Sequence, residues 1–333
     1  MKTKLLDVLG CPECWSELIL SDVSEGTHET EILTGKLQCP RCKLTFPIDR
    51  GIPRFVEPGN YAASFGFQWN RFRMEQLDSQ NGTSLSSERL YRETAWDPAW
   101  MRGKWLLEVG CGAGRFLEVA AQTGAEVIGL DLSDAVDAAF ANLKDRPNVN
   151  VVQASVYKLP IRRATLDGCY CIGVLQHTPD PLHAAECIPP TIKPGGRIAL
   201  TVYGHKWYTP LNAKYLVRRI TRRLSAGALL RSIQLAMPVL FPITNVLYRL
   251  PVIGNAFRFA IPIANYVEKR SLSREQRYQW AVLDTFDMLS PRYDHPPTQE
   301  QLSRALIKGG ATDIQRLNNR GVNLVATTPE ATR

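Results

Sequence analysis

The chain has 333 residues, 44% of them hydrophobic, and a net charge of +8. That length is long for one domain and short for three, and the hydrophobic share supports a sizeable core. The opening Met1-Lys2-Thr3-Lys4 runs into Leu5, Leu6 and Asp7 with no apolar stretch of the export kind, so a cytoplasmic protein is expected, its eight cysteines thiols and metal ligands rather than disulfides.

Residues 1–57 read as a first module. Cys11 and Cys14 form one C-x2-C doublet and Cys39 and Cys42 a second, with 24 residues between them. Each doublet presents two thiolates from a tight turn, and four sulfurs close a tetrahedral shell for Zn2+. No position stays open for water, so the expected site is structural. Short strands are expected near residues 18–20 and 32–37, around a polar stretch at 21–30. The layout is that of a zinc ribbon. The run from Phe46 to Val56 resembles the ends of short zinc-ribbon proteins that serve as activator subunits of methyltransferases. It resembles more loosely the zinc-finger head of some ribosomal-RNA methyltransferases. The first resemblance implies a stabilising or substrate-presenting role, the second RNA contact.

Residues 58–100 read as an aromatic helical linker, with Pro58 and Gly59 at the boundary. Phe65, Phe67, Trp69 and Phe72 fall within a dozen residues and predict a helix lying across a pocket or packing the ribbon onto the core. The stretch resembles the F-G-x-Q-W segment ahead of the core in methyltransferases of polysaccharide and natural-product pathways. That resemblance makes Trp69 a substrate-side candidate. Trp96, Trp100 and Trp105 are expected to pack.

Residues 101–204 carry the densest signal. Leu106, Leu107 and Val109 form a buried strand, and Gly110, Gly112 and Gly114 follow as G-x-G-x-G. Helical spacing then runs through Phe116, Leu117, Val119 and Ala120 until Gly124, and a second strand ends at Asp131. The glycines allow a tight turn against a ligand, and the helix aims its N–H groups at it. Asp131 stands where a carboxylate accepts from both ribose hydroxyls. A dinucleotide site prefers G-x-G-x-x-G. Here the third glycine comes one residue early, and Glu108 would repel a pyrophosphate while suiting an ammonium. The stretch resembles the first motif, E/D-x-G-C-G-x-G, of class I S-adenosylmethionine methyltransferases. The resemblance implies an α/β fold with a Rossmann-like seven-stranded sheet and S-adenosylmethionine as cofactor. It assigns Glu108, Gly110, Cys111, Gly112, Gly114, Asp131 and Leu132 to the cofactor. Ser155 stands where the family often has an acid facing adenine, so Ser155 and Val156 share that contact.

A helix is expected over 135–143 and a strand over 149–153. Another strand, from Cys169, ends in a loop from Gly173 to His177 at the sheet's carboxyl edge. Gly173 and Gln176 are read as cofactor contacts. His177 is the only group there with a pKa near working pH, and it is the catalytic candidate, as base or as clamp on the nucleophile. A helix over 182–192, a turn over 193–196 and a strand over 197–203 follow.

Residues 205–277 interrupt the pattern as an expected helical lid. Lys214, Arg218, Arg219, Arg222 and Arg223 fall on one side of a helix, with Leu216, Val217, Ile220 and Leu224 on the other. Residues 232–248 are apolar and uncharged but hold Pro238 and Pro242. A spanning helix needs about 20 clean apolar residues, so the stretch reads as proline-broken and not transmembrane. It fits peripheral attachment to the inner face of a membrane, a greasy substrate tunnel, or a lid whose arginines are simply solvated. Residues 278–333 are expected to complete the core, with a helix over 298–307 and a hairpin from strands 312–317 and 322–327. Asp287, Tyr293 and His295 precede that helix and are candidates for substrate contact, by resemblance to the same pathway methyltransferases.

The reading is therefore a methyltransferase acting at oxygen on a small-molecule, sugar or lipid-linked acceptor. The alternatives are an RNA methyltransferase with the ribbon as RNA-binding head, and a non-catalytic scaffold. Nucleic acid is the less favoured partner, because no N-P-P-Y motif follows the fourth strand and the basic stretch lacks interleaved aromatics.

Overall fold

The computed structural model describes residues 1–23, 31–57, 59–204, 208–317 and 321–331. Much of the polar stretch at 21–30, Pro58, the start of the insertion and the hairpin turn at 318–320 lie outside them.

Four short strands open the chain: β1 (Ile19–Ser21), β2 (Gly35–Gln38), β3 (Thr45–Asp49) and β4 (Ile52–Pro53). They pair antiparallel in that order. Leu5, Leu9, Leu37 and Ile48 fill the space beneath them, in one apolar cluster with Val152, Leu159 and Ile161 of the larger unit. Arg54 closes the joint, donating to Gln153 Oε1 at 2.6 Å and to Asp137 Oδ1 at 2.8 Å.

Helices α1 (Ala63–Arg71), α2 (Asp78–Asn81), α3 (Leu85–Thr94) and α4 (Pro98–Met101) come next. Then strands and helices alternate: β5 (Trp105–Val109), α5 (Arg115–Gln122), β6 (Glu126–Asp131), α6 (Ala135–Leu143), β7 (Val149–Gln153), β8 (Leu166–Ile172), α7 (Pro181–Glu186) and β9 (Ile192–Val202). The near-continuous burial of β5, β7 and β8 is what a parallel strand covered on both faces requires. The sheet order is β10-β11-β9-β8-β5-β6-β7; β11 (Val322–Thr327) runs antiparallel to both its neighbours, so β10 (Thr312–Arg316) points the same way as the parallel strands. This is the expected seven-stranded Rossmann-like sheet. Its strand order reverses at β5, and a crevice opens beyond the carboxyl ends there.

The insertion is helical: α8 (Ala213–Thr221), α9 (Ala226–Leu247) and α10 (Gly254–Ala260), followed by α11 (Arg274–Leu289). α12 (Gln299–Gly309) precedes the hairpin and starts from Thr298 in a reciprocal cap with Gln301.

Two expectations are corrected. The helix expected over 182–192 ends at Glu186, because Pro189 and Pro190 bar the preceding backbone from continuing it. The apolar stretch around Pro238 and Pro242 is unbroken: α9 runs straight through both. Both prolines are exposed, as is Gln234 one turn before Pro238, so the carbonyls left without an N–H partner face water. With 22 residues and a mean hydropathy of 1.4 over its most apolar window, α9 is long and apolar enough to cross a membrane.

Candidate active site

A cavity of about 580 Å3 opens at the carboxyl ends of β5, β6 and β8, between the sheet, α1 and the lid. Its first end is built by the glycine turn. Gly110 and Gly112 have φ of +77° and +52°, conformations that favour glycine. A Cβ on Gly110 would lie 2.4 Å from Val174, and one on Gly112 would lie 3.0 Å from the Trp69 indole. Trp69 thus lies directly on the turn and lines the cavity with Tyr61 and Phe65 of the same segment. Phe67 and Phe72 point the other way, into the lid helices. The aromatic segment therefore lies across the cavity, one of the two arrangements expected of it, but its other aromatics pack the lid side and not the ribbon.

Asp131 ends β6 in the cavity wall. Its Oδ2 accepts from Gly112 N–H at 3.0 Å, and its Oδ1 accepts from Ser133 N–H and hydroxyl at 2.9 and 2.7 Å. Burial raises its pKa, against those donors. Glu108 is buried beneath the turn and accepts from the Tyr170 hydroxyl at 3.3 Å. Burial holds its carboxyl well above the usual range, with Tyr170 and Arg115 acting in the opposite sense. Leu132, Val156 and Gly173 also line this end, with Cys111. Gly114 sits behind it as the residue before α5, packed on Leu143. Ser155 turns instead to Tyr157 N–H, capping a short turn, and is absent from the cavity wall.

The second end is polar. His177 Nδ1 lies 3.0 Å from the Tyr293 carbonyl oxygen, which can only accept, so Nδ1 carries the proton. Nε2 is then an unprotonated lone pair, buried with no partner among the described residues. The ring stands between Phe65 and Tyr203, at 5.4 and 5.6 Å between centroids. Burial lowers the His177 pKa, with Asp287 and Asp294 opposing. Asp287 accepts from Gln68 at 3.3 Å, and burial raises its pKa. Asp294 is paired with Lys214 at 2.9 Å; burial pushes its carboxyl up, but Lys214, with His177 and Arg218, more than reverses this and leaves it below the ordinary value.

Between the two ends lies a chain the sequence reading missed. Arg115 donates to Gln76, and Gln76 donates to Asp284 at 3.3 Å. Burial, then the neighbouring Arg89, bring the Arg115 pKa down to about 9, and burial, then Asp287, push Asp284 up to about 7. Arg115 directly follows the last glycine, which was a usable signal. Arg89, Gln76 and Asp284 carried none, since their approach to the turn is made by packing.

Gln176, Tyr293 and His295 do not line the cavity. Gln176 is fully buried and donates to the Gly173 carbonyl at 2.7 Å. The His295 N–H donates to the Gln176 carbonyl at 2.8 Å, and Tyr293 meets Tyr61 edge-on at 5.5 Å. These residues hold the loop rather than face its contents.

Away from the cavity, the sulfurs of Cys11, Cys14, Cys39 and Cys42 all lie within 4.8 Å of one another. A tetrahedral site with Zn–S of about 2.3 Å needs sulfur pairs about 3.8 Å apart. The cluster is compatible with that metal.

Residues 107–200 match the family described as "Methyltransferase domain", and residues 2–51 match "Trm112p-like protein". The chain carries a methyltransferase domain behind a Trm112p-like zinc-ribbon domain. A ubiquinone biosynthesis O-methyltransferase of Paraburkholderia phymatum is 30% identical over 131 residues, 37% of this chain and 56% of that protein. Its counterpart in Coxiella burnetii is 30% identical over 122 residues, 35% of this chain and 52% of that protein. The chain thus spans about half the length of the curated relatives it matches. Among solved structures, a complex between the Trm112 methyltransferase activator and a methyltransferase from Haloferax volcanii has a TM-score of 0.45 at 12% identity, covering 81% of this chain and 99% of that one. Within the methyltransferase domain fall the glycine turn, Asp131 and His177. Outside it fall α1, the lid and the Asp287–His295 segment, which close the cavity.

Proposed function

We propose that this protein transfers a methyl group from S-adenosylmethionine to an oxygen of a small-molecule, sugar or lipid-linked acceptor. The observation that carries the reading is the buried, unpartnered Nε2 of His177, in one cavity with the glycine turn and Asp131. The cofactor supplies an activated methyl on a sulfonium, so the protein needs to align the acceptor and remove its proton.

The residues fit such a cofactor. Asp131 has lone pairs left for two ribose hydroxyls, since each oxygen holds only part of its capacity. A buried Glu108 with no cation bonded to it among the described residues is relieved by an ammonium. Arg115, whose guanidinium already sits against Gln76 and feels Arg89, is relieved by a carboxylate. Ammonium and carboxylate together are an amino-acid tail. Trp69 lies against the turn at Gly112.

At the other end Nε2 of His177 takes the acceptor's proton, and the Asp287 carboxylate stabilises the imidazolium that forms. The four-cysteine cluster is assigned to structural Zn2+, holding the ribbon against the sheet and outside the chemistry.

Binding calorimetry with S-adenosylhomocysteine tests the reading. Wild type is expected to bind and Asp131→Ala to lose most of that affinity. Absence of binding by wild type sinks it.

A further inference from the structure

The lid has a second face that the cavity does not use. α9 turns Leu229, Ile233, Met237 and Phe241 inward, in one apolar cluster with Phe286 and Leu289 of α11. Its opposite side presents Leu235, Val239, Ile243 and Val246, spaced as a single stripe and 82%, 61%, 44% and 62% exposed. α8 repeats the arrangement. Arg218 and Thr221 are buried against the carbonyls of Met288, Pro291 and Leu289, while Leu216 and Ile220 stand 58% and 68% exposed. The turn after α9 carries Val252, 93% exposed. A soluble monomer rarely leaves so many aliphatic side chains in neighbouring elements uncovered.

The charge around this face has one sign. From residue 205 to 267 the sequence holds nine Lys and Arg and no Asp or Glu. Lys214 and Arg218 are used inside, on Asp294, and Arg258 pairs with Glu268. Arg219, Arg223, Arg231 and Arg249 are exposed and make no ion pair among the described residues.

We propose that this face docks on an anionic lipid bilayer, with α9 lying in the headgroup plane. Exposed aliphatics flanked by unpaired arginines match an acyl boundary beneath phosphates. A second copy of the chain would set arginines against arginines. Nucleic acid would use the arginines and leave the aliphatic stripe in water, since its binders present aromatics. α9 is long enough to span, but its inner stripe belongs to the core with α11, and Thr244 on that side is bonded to Asn265 at 3.0 Å. Spanning would strip those contacts. α8 and α10 also give Lys214 and Arg258 to the cavity wall, so the docking elements are the lid itself. The proposal does not depend on the chemistry assigned above.

The test is co-sedimentation of the full chain with vesicles of phosphatidylcholine alone, or of phosphatidylcholine and phosphatidylglycerol in equal parts. Partition into the anionic vesicles is expected, with little into the neutral ones. Raising ionic strength from about 0.1 to about 1 M is expected to weaken it steeply, as the screening length shrinks to about 3 Å. Leu235→Asp with Val239→Asp, and separately Arg219→Gln with Arg223→Gln, should each weaken partition by about tenfold or more. Circular dichroism and S-adenosylhomocysteine binding should stay at wild-type level. If the aspartate pair perturbs the fold, the glutamine pair decides. No partition of wild type, equal partition by folded variants, a dimer dissolved by Leu235→Asp, or RNA binding in place of vesicle binding overturns the proposal.

Discussion

His177 Nδ1 and the Tyr293 carbonyl oxygen meet at 3.0 Å across 116 residues of sequence, and this contact sets the histidine's chemistry. It assigns the proton to Nδ1 and leaves Nε2 free in the cavity. A second clamp runs beside it, from the His295 N–H to the Gln176 carbonyl at 2.8 Å. The loop after β8 and the segment before α12 are thereby fixed to each other. Gln176, Tyr293 and His295 act as positioning residues through their backbones.

His177→Asn keeps a donor for Tyr293 and removes Nε2. The proposed base role predicts a fall in kcat of roughly 10^2 to 10^4, with S-adenosylhomocysteine affinity unchanged. Because burial lowers the His177 pKa, the acid limb of the wild-type rate profile should lie below pH ~6.5. Rate should rise with pH through that limb, and the limb should vanish in the variant. A kcat within about threefold of wild type would remove His177 from proton transfer. The sign for stability follows from the same shift. Between the lowered folded value and the ordinary unfolded one, the unfolded chain binds more protons, so stability falls as pH drops through that window.

Asp131→Ala removes the acceptor proposed for two ribose hydroxyls, and each such bond to a charged group contributes about 1.5–3 kcal/mol. Affinity for S-adenosylhomocysteine should fall by about a hundredfold or more. The variant also leaves the Gly112 N–H and Ser133 without their partner, costing about 1–3 kcal/mol of stability. Asp131→Asn should recover much of that stability and little of the affinity. Equal affinity in all three proteins would place the ribose elsewhere.

Gly110→Ala tests the turn by packing alone. The new Cβ meets Val174 at 2.4 Å with φ at +77°. Left-handed backbone costs roughly 1–2 kcal/mol and overpacking about 1–3 kcal/mol. Adding Val174→Ala removes the two methyls at 2.4 and 2.5 Å and should recover part of the packing loss, leaving the contact with the 174 Cβ at 2.9 Å and the backbone part, a coupling that thermal unfolding of the four-protein cycle reads directly. Purely additive losses would mean that Val174 moves aside freely.

What was legible in the sequence was local. Gly110, Gly112 and Asp131 come together within one strand–turn–helix–strand, so spacing alone sufficed to bring them to one turn. The cysteine doublets were legible for the same reason. The polar chain was not: Gln76 and Asp284 are separated by 208 residues, and nothing in either neighbourhood marks a cavity. Tyr293 and His295 misled because their residue types imply side-chain chemistry, whereas the fold uses their backbone. Pro238 and Pro242 misled because a proline costs a helix one bond, and two exposed prolines one turn apart leave those carbonyls to water while the inner stripe still packs.

Asp284→Asn should stabilise the protein at alkaline pH. Burial and Asp287 raise the folded-state pKa to about 7, while the unfolded carboxyl keeps its ordinary value. The folded chain therefore binds the extra proton between those values. Stability from this group is full below the unfolded pKa and is lost as pH rises through about 7. Asparagine keeps an acceptor for Gln76 and cannot ionise. Expect a gain on the order of 1 kcal/mol at pH ~8 and almost none at pH ~4, with the full conversion discounted because water reaches the cavity wall. A uniform effect across that range would point to packing instead.

Removing the metal should be felt in the large sheet as well as in the ribbon. β7 is the sheet's edge, and the ribbon covers it: the Phe55 N–H donates to the Gln153 carbonyl at 2.8 Å, and Arg54 grips the Gln153 side chain. An uncovered edge strand is a template for aggregation. Cys39 is fully buried and its Sγ accepts from the Cys42 N–H at 3.2 Å, so Cys39→Ser removes a ligand from the centre of the cluster. We expect wild type to purify with one zinc per chain and this variant with none. Because structural zinc is coupled to folding, unfolding should begin well below the wild-type temperature. Hydrogen exchange should rise first in the ribbon and at residues 149–153, while β5 and β8 stay protected. Arg54→Ala with zinc retained should reproduce the exchange at 149–153 without melting the ribbon. Protection of β7 unchanged on metal loss would show that the sheet stands without its cover.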